Sequence, residues 1–111
     1  MHDAGAAISV QITHAGSFAD RSVSGLQQLA PSVIFNHGDM NWSKAMTMEE
    51  LETVKEEFVR GSELIQRVGF DSMEIHCGHR YLLSQFLSPF TNARTDLYGG
   101  SERIGLASRV R

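Results

Sequence analysis

The residues best suited to chemistry lie close together at His76, Cys77, His79 and Tyr81. Imidazole and thiolate groups bind zinc, and a phenol can donate a proton. Two imidazoles three residues apart, in a chain with a single cysteine, are weak evidence for a metal site. Taken alone, these residue types favour a structural histidine pair and leave metal binding open.

The segments around this stretch predict a strand–helix–strand unit. Residues 6–13 form a short apolar run rich in β-branched side chains, and residues 70–76 alternate, so each favours a strand. Thr47 and Glu50 have the spacing of a capping box. A helical stripe of apolar residues then runs to Gly69, which is typical of a helix C-terminus. Such a unit places its two strands parallel.

The remaining segments carry weaker signals. Residues 14–45 lack periodicity and are rich in Gly and Asn, which predicts an irregular loop long enough to be functional. Residues 81–87 predict a short helix. Residues 91–101 predict a loop with positive φ at Gly99 and its neighbour, and a last helix is predicted from about Ser101.

The composition argues against several classes of protein. The chain has 111 residues, 41% apolar and 21% charged, with a net charge of −3. It has no apolar run of about 18 residues, so no membrane partner is expected. Without a basic and then apolar start, we expect no secretory signal and a cytoplasmic location. The single cysteine excludes an internal disulfide, and the lack of clustered Lys and Arg argues against nucleic acid as a partner.

Longer motifs with fixed order and spacing surround the two histidines. Residues 74–89 read Glu-Ile-His-Cys-Gly-His-Arg-Tyr-Leu-Leu-Ser-Gln-Phe-Leu-Ser-Pro, and Thr-Asn, Arg-Thr-Asp and Tyr-Gly-Gly-Ser follow within residues 91–101. Residues 11–16 read Gln-Ile-Thr-His-Ala-Gly. From about residue 6 to 101 the chain resembles the Old Yellow Enzyme and NADH:flavin oxidoreductase family, in which FMN-dependent enzymes reduce activated alkenes.

This resemblance implies an α/β fold that is a fragment of a (β/α)8 TIM barrel. Residues 6–13 would be the third barrel strand and residues 72–76 the fourth, with the predicted helix between them. A complete barrel takes about 250 residues. Residues 1–111 would therefore be a partial FMN oxidoreductase domain, in which residues 102–111 depart from the family pattern.

The resemblance also implies roles for four side chains. His76 and His79 would donate hydrogen bonds to the electron-withdrawing oxygen of an activated alkene, where negative charge grows as hydride arrives. Tyr81 would protonate the α-carbon. Gln11 and His76 would both contact FMN, with Gln11 at the pyrimidine edge because an amide offers both a donor and an acceptor. NADH or NADPH would supply the electrons.

Structural roles are predicted for most other singled-out residues. Arg94 and Asp96 are expected to hold their loop together, and Trp42 is expected to pack within the long loop. Cys77 is expected to be buried or half-buried. For His14, a structural role and a place near the substrate both stay open.

The chain departs from the family pattern at three places. Arg80 stands where the family has glycine, and we expect its side chain to clash, to change the backbone angle, or to alter the electrostatics around Tyr81. Ser17 stands where an arginine or an aromatic residue is usual. After Ser101 the match fails, as a frame change, a truncation or a decayed gene copy would leave it.

These departures lead to a second hypothesis, a catalytically incompetent fragment that acts by association with other chains. Self-association through unpaired strand edges is included in this hypothesis. Parallel strands need both faces covered, so we expect the 111-residue chain to bind FMN weakly or not at all. A third, less favoured hypothesis is a metal-binding module that uses His76, Cys77 and His79.

Overall fold

The computed structural model describes residues 1–99, which form two compact units. The strand–helix unit comprises Met1–Thr13 and Thr47–His76, and the loop unit comprises His14–Met46 with the described part of Cys77–Arg111. The helix predicted near residue 101, and residues 102–111, lie outside the described part. In chain order the elements are a 3₁₀ turn His2–Ala4, β1 Ser9–Ile12, a 3₁₀ turn Gly16–Phe18, α1 Arg21–Ser24, β2 Leu29–Ala30, β3 Phe35–Asn36, β4 Asn41–Trp42, β5 Lys44–Ala45, α2 Met48–Val68, β6 Ser72–Ile75 and α3 Leu82–Leu87.

The strand–helix unit is built on a parallel pair of strands. β1 pairs with β6, with Gln11 opposite Glu74 and Ile12 opposite Ile75. Along β1, exposed residues alternate with half-buried ones, and α2 packs against this strand. The predicted strand–helix–strand unit is therefore confirmed, although each strand is shorter than its predicted segment.

Both ends of α2 form as the sequence predicts. The Thr47 hydroxyl accepts a hydrogen bond from the Glu50 N–H at 3.1 Å, and the Glu50 carboxylate accepts one from the Thr47 N–H at 2.8 Å. Gly69 ends the helix with φ 92°, a left-handed angle that glycine adopts without a steric penalty. None of the helices within residues 1–99 is long and apolar enough to cross a lipid bilayer.

Replacing Gly61 by alanine is expected to raise the free energy of unfolding by about 1 kcal/mol, since glycine lowers helix stability by that amount. Gly61 lies inside α2, and an added Cβ would meet no atom within 4 Å. Chemical denaturation followed by circular dichroism measures the change. Gly69→Ala is the matched control and should lose stability, because its φ is left-handed. A less stable Gly61→Ala variant would contradict this account.

The loop unit is more ordered than an irregular segment. β2 pairs in parallel with β5, and β3 pairs with β4 as an antiparallel hairpin. Each of these strands has two residues, which is too short to produce a periodic pattern in the sequence. The predicted irregular loop at residues 14–45 is thus corrected to a folded segment held by local backbone pairs.

The most deeply buried apolar residues lie mainly in the loop unit. Ala30, Met46 and Leu82 are almost fully buried there, whereas Leu51 is the buried apolar residue of α2. Along β1 and β6 the apolar side chains are half-buried or exposed. Two strands cannot cover both of their own faces, so among the described residues the loop unit holds the tighter core.

Candidate functional site

The carboxyl ends of β1 and β6 bring Gln11 and His76 together in the strand–helix unit. The His76 N–H donates to the Ile12 carbonyl at 3.0 Å, which extends the strand pairing past the last residue of β6. The amide nitrogen of Gln11 donates to the Glu74 carboxylate on the neighbouring strand at 2.8 Å. Carboxyl ends of parallel strands are where ligands bind in α/β barrels and sheets.

The amide of Gln11 has the chemistry that a flavin pyrimidine edge requires. The edge presents both hydrogen-bond donors and acceptors, and an amide can complement either kind of group. In Gln11 the nitrogen is engaged by Glu74, the carbonyl oxygen is not used in that bond, and the side chain is exposed. The amide of Gln11 is therefore chemically compatible with a flavin edge.

His79 and Tyr81 lie in the loop unit, in the turn that leads into α3. The Tyr81 N–H donates to the Gly78 carbonyl at 3.1 Å, and Tyr81 forms the N-cap of the helix. The ring centroids of His79 and Tyr81 are 6.5 Å apart in an edge-to-face arrangement. This turn thus holds an imidazole and a phenol as neighbours.

The backbone of this turn is left-handed at two residues that are not glycine. φ is 53° at His79 and 61° at Arg80, and each such residue costs about 1–2 kcal/mol relative to a right-handed conformation. Glycine adopts such an angle without a steric penalty, so Arg80 carries a strain here that the glycine of the family pattern would not. Such angles persist when the surroundings hold them, and they concentrate at functional sites.

Gln85 holds this turn in place, and the sequence interpretation missed it. The Gln85 side chain is 1% exposed, and its amide nitrogen donates to the Arg80 carbonyl at 2.6 Å and to the Ser17 hydroxyl at 2.8 Å. The side-chain amide oxygen of Gln85 accepts a hydrogen bond from the Ser17 N–H at 3.3 Å. The available signal was an amide within the apolar segment of α3, because buried amides need hydrogen-bond partners. Ser17 is small enough to fill this buried position.

Arg94 connects the loop after α3 to the long segment at residues 14–46 through hydrogen bonds. Its guanidinium Nε donates to both carboxylate oxygens of Asp96 at 3.0 and 3.1 Å, and Nη1 donates to the carbonyls of Pro31 and Met46. The hydrogen bonds from Arg94 hold the pKa of Asp96 below its usual value of 3.8. The loop-holding role predicted for Arg94 and Asp96 is confirmed and also reaches residues far away in the sequence.

Two structural predictions in this region were wrong. Cys77 is exposed, because it leaves the end of β6 in a turn where His79 and Arg80 are exposed as well. Gly99 has no positive φ, and glycine is needed there for a different reason; Gly100, the other residue of the predicted turn, lies outside the described residues. A Cβ at this position would lie 1.9 Å from the Arg94 carbonyl oxygen, so only glycine allows the close approach.

Two further predicted residues have mainly structural contacts. The Nδ1 atom of His14 accepts a hydrogen bond from the Gly16 N–H at 2.9 Å, which supports the structural alternative. Trp42 is 57% exposed, although its ring contacts that of Phe35 at 5.0 Å. Within residues 1–99, no three His, Cys, Asp or Glu side chains are placed to hold a metal ion.

Known proteins resemble this chain along most of its length. The 4,4'-dithiodibutanoate disulfide reductase of Rhodococcus erythropolis is 42% identical over 101 residues, which are 91% of this chain and 25% of that protein. The NADPH dehydrogenase of Halalkalibacterium halodurans is 43% identical over 101 residues, covering 91% of this chain and 29% of that protein. The chain thus spans less than a third of the length of these relatives.

Solved structures give the same result. The Old Yellow Enzyme from Pichia sp. AKU4542 is 37% identical with a TM-score of 0.82, over 95% of this chain and 31% of that one. Morphinone reductase in complex with tetrahydroNAD is 30% identical with a TM-score of 0.84, over 95% of this chain and 35% of that one. The predicted α/β fragment of a barrel is supported at this level, because the chain matches part of the Old Yellow Enzyme barrel.

The sequence also matches one protein family over residues 1–107. The chain therefore belongs to the NADH:flavin oxidoreductase / NADH oxidase family, which includes the Old Yellow Enzymes.

Proposed function

We propose that this chain forms part of an FMN-dependent NAD(P)H oxidoreductase that reduces the activated C=C bond of an α,β-unsaturated substrate. The observation that carries the proposal is the turn after β6, in which Tyr81 caps α3 and its ring lies against His79. In this proposal β1 and β6 are the third and fourth strands of the barrel. FMN supplies two-electron reduction when it is bound.

His76 and His79 act as hydrogen-bond donors to the oxygen that withdraws electrons from the alkene. Negative charge grows on that oxygen during the reaction, and donors aimed at it stabilise the transition state more than the ground state. Gln11, beside His76 at the strand ends, binds the pyrimidine edge of FMN through its amide.

Tyr81 gives its phenolic proton to the α-carbon of the substrate. A phenol can release its proton to a strong carbon base, which is what the α-carbon becomes as hydride arrives at the neighbouring carbon. The Tyr81 backbone lies at the N-cap position of α3, where its carbonyl accepts a hydrogen bond from the Gln85 N–H at 2.8 Å, and the rings of Phe18 and His79 flank the Tyr81 ring.

The substrate is a small molecule with an activated double bond, and the electron donor is NADH or NADPH. The Rhodococcus relative is named for a disulfide substrate that carries two carboxylates, so acidic substrates belong among the candidates. The cytoplasmic location predicted from the sequence stays a prediction.

The second hypothesis, an incompetent fragment that associates with other chains, also stays open as a proposal. The observation that favours it is the β1–β6 pair, which is a two-stranded sheet within residues 1–99, so each strand has one edge that no other described strand covers. Unpaired strand edges of this kind template association with further strands.

The role of Tyr81 can be tested in a hybrid enzyme, in which residues 1–107 replace the matching segment of the Halalkalibacterium NADPH dehydrogenase. Tyr81→Phe is expected to lower the turnover of 2-cyclohexenone by about 10²- to 10⁴-fold, the usual contribution of a general acid. Steady-state assays of NADPH oxidation measure the effect, and the flavin absorbance shows that FMN is retained.

The matched control is Tyr98→Phe, since Tyr98 is the other tyrosine of the chain and its ring contacts Phe86 outside the turn. This control should keep its turnover. Equal turnover of the Tyr81→Phe and parent hybrids, with FMN bound in both, would remove Tyr81 from the proposed chemistry.

A further inference from the structure

The loop unit contains a cavity that the proposed function does not use. Its volume is about 470 Å³, within the range of about 300–1,000 Å³ that is usual for small-ligand sites. The cavity lies among the 3₁₀ turn Gly16–Phe18, the hairpin segment around β3, and the turn that precedes α3. Its charged wall residues are Asp20, Asp39 and Arg80.

Arg80 is the cation of this wall, and its guanidinium lies over the Phe18 ring at 5.8 Å from the ring centroid. Among residues 1–99, no carboxylate forms an ion pair with Arg80. A guanidinium presents a planar fork of donors that matches a carboxylate in a bidentate arrangement. The wall therefore offers one preoriented group for an anion.

The two carboxylates of the wall are engaged with other partners. Asp20 accepts hydrogen bonds from the Ser22 N–H at 2.8 Å and from the Ser22 hydroxyl at 2.6 Å. Asp39 accepts one from the side-chain amide of Gln28. Both carboxylates repel a negatively charged group of the ligand, so such a group is directed to Arg80. The part of the ligand that lies near Asp20 and Asp39 must then be neutral.

The backbone angle of Arg80 supports a role for its side chain. The resemblance places glycine at this position, and glycine would adopt φ 61° without strain. Arginine is strained at this angle, and the hydrogen bond from the Gln85 side-chain amide to the Arg80 carbonyl holds the strained conformation. Strain of this kind concentrates at ligand clamps.

We propose that the cavity binds a carboxylate of the substrate and that Arg80 selects activated alkenes carrying a carboxylate apart from the reacting double bond. This inference rests on the proposed function and names its substrate class. Phe18 contacts both Arg80 and Tyr81, with ring centroids of Phe18 and Tyr81 6.3 Å apart. A small ligand held at Arg80 therefore lies close to the phenol that would supply the proton.

The test compares two ligands of the same shape on the full 111-residue chain. The first is 4-oxo-4-phenylbutanoate and the second is its neutral amide, and neither has a double bond that could alkylate Cys77. Isothermal titration should show the acid binding at least about tenfold more tightly than the amide, because a hydrogen-bonded charge pair is worth that factor or more.

Arg80→Gln and Arg80→Gly should reduce the preference for the acid to less than about twofold. Arg80→Gly also relieves the left-handed strain, so it supplies a cation-free variant expected to fold at least as stably as the parent. Arg60→Gln is the matched control, since it removes the same charge from an exposed position on α2, and it should keep the full preference.

Equal affinity for the acid and the amide, binding of neither ligand, or an undiminished preference in both Arg80 variants would each overturn this inference. The titration contains no flavin and no nicotinamide. Its failure therefore leaves the proposed oxidoreductase activity standing, and failure of the hybrid enzyme leaves the measured preference for the acid unchanged.

Discussion

Arg94→Met is expected to lower the free energy of unfolding by about 2–5 kcal/mol. Arg94 is 9% exposed and donates to the Pro31 carbonyl at 2.9 Å and to the Met46 carbonyl at 2.6 Å, as well as to Asp96. Pro31 and Met46 are buried. Methionine fills the space of the arginine stem but leaves two buried carbonyls without their donors.

Urea denaturation of the parent chain and the variant measures this loss. Arg60→Met is the control, because Arg60 is 77% exposed and its pair with Glu56 at 3.6 Å is worth at most about 0.5 kcal/mol. A loss in Arg94→Met no larger than that in Arg60→Met would show that Arg94 does not hold the two loops.

The same network gives a pH dependence with a defined sign. Arg94 lowers the pKa of Asp96 in the folded chain, so the carboxylate stabilises the fold above its ordinary value of 3.8 and this contribution fades as pH falls further. The difference in stability between the parent and Asp96→Asn should therefore shrink below that pH.

Gly16→Ala is expected to lower the free energy of unfolding by about 2–4 kcal/mol, the sum of a left-handed backbone and an overpacked core. Gly16 has φ 61°, and an added Cβ would lie 2.5 Å from the side-chain amide oxygen of Gln85. The Gln85 side chain cannot move aside easily, because it is buried and hydrogen-bonded to Ser17 and Arg80.

Gly25→Ala separates these two causes. Gly25 has φ 68°, and a Cβ there would meet nothing within 4 Å, so this variant carries only the backbone penalty of about 1 kcal/mol. Thermal and urea unfolding of both variants give the comparison. Equal losses in the two variants would mean that the Gln85 side chain yields without cost.

The strand–helix unit could be predicted from the sequence because its signals are local. Thr47 and Glu50 are three residues apart, and Gly69 directly follows the helix that it ends. The loop unit gave no such signal, since Ala30 and Met46 are joined across the chain through strands of two residues. Short pairs of this kind produce no periodicity.

The candidate site was predictable only as an ordered set of motifs. His76, His79 and Tyr81 follow from the resemblance, while Gln85 and Ser17 are 68 residues apart and no spacing rule connects them. Arg94 reaches Pro31 across 63 residues for the same reason. Predictions for Cys77 and Gly99 failed because exposure and close backbone approach depend on the folded turn.

The rate at which substrate reoxidises the flavin measures the proposed role of His76 and His79. The hybrid enzyme is reduced with NADPH in the absence of oxygen and mixed with 2-cyclohexenone, and the return of flavin absorbance is followed. His76→Ala and His79→Ala should each slow this step by about 10²- to 10³-fold, the usual effect of losing one donor. Unchanged reoxidation in both variants, with FMN bound and reduced normally, would show that neither histidine stabilises the transition state.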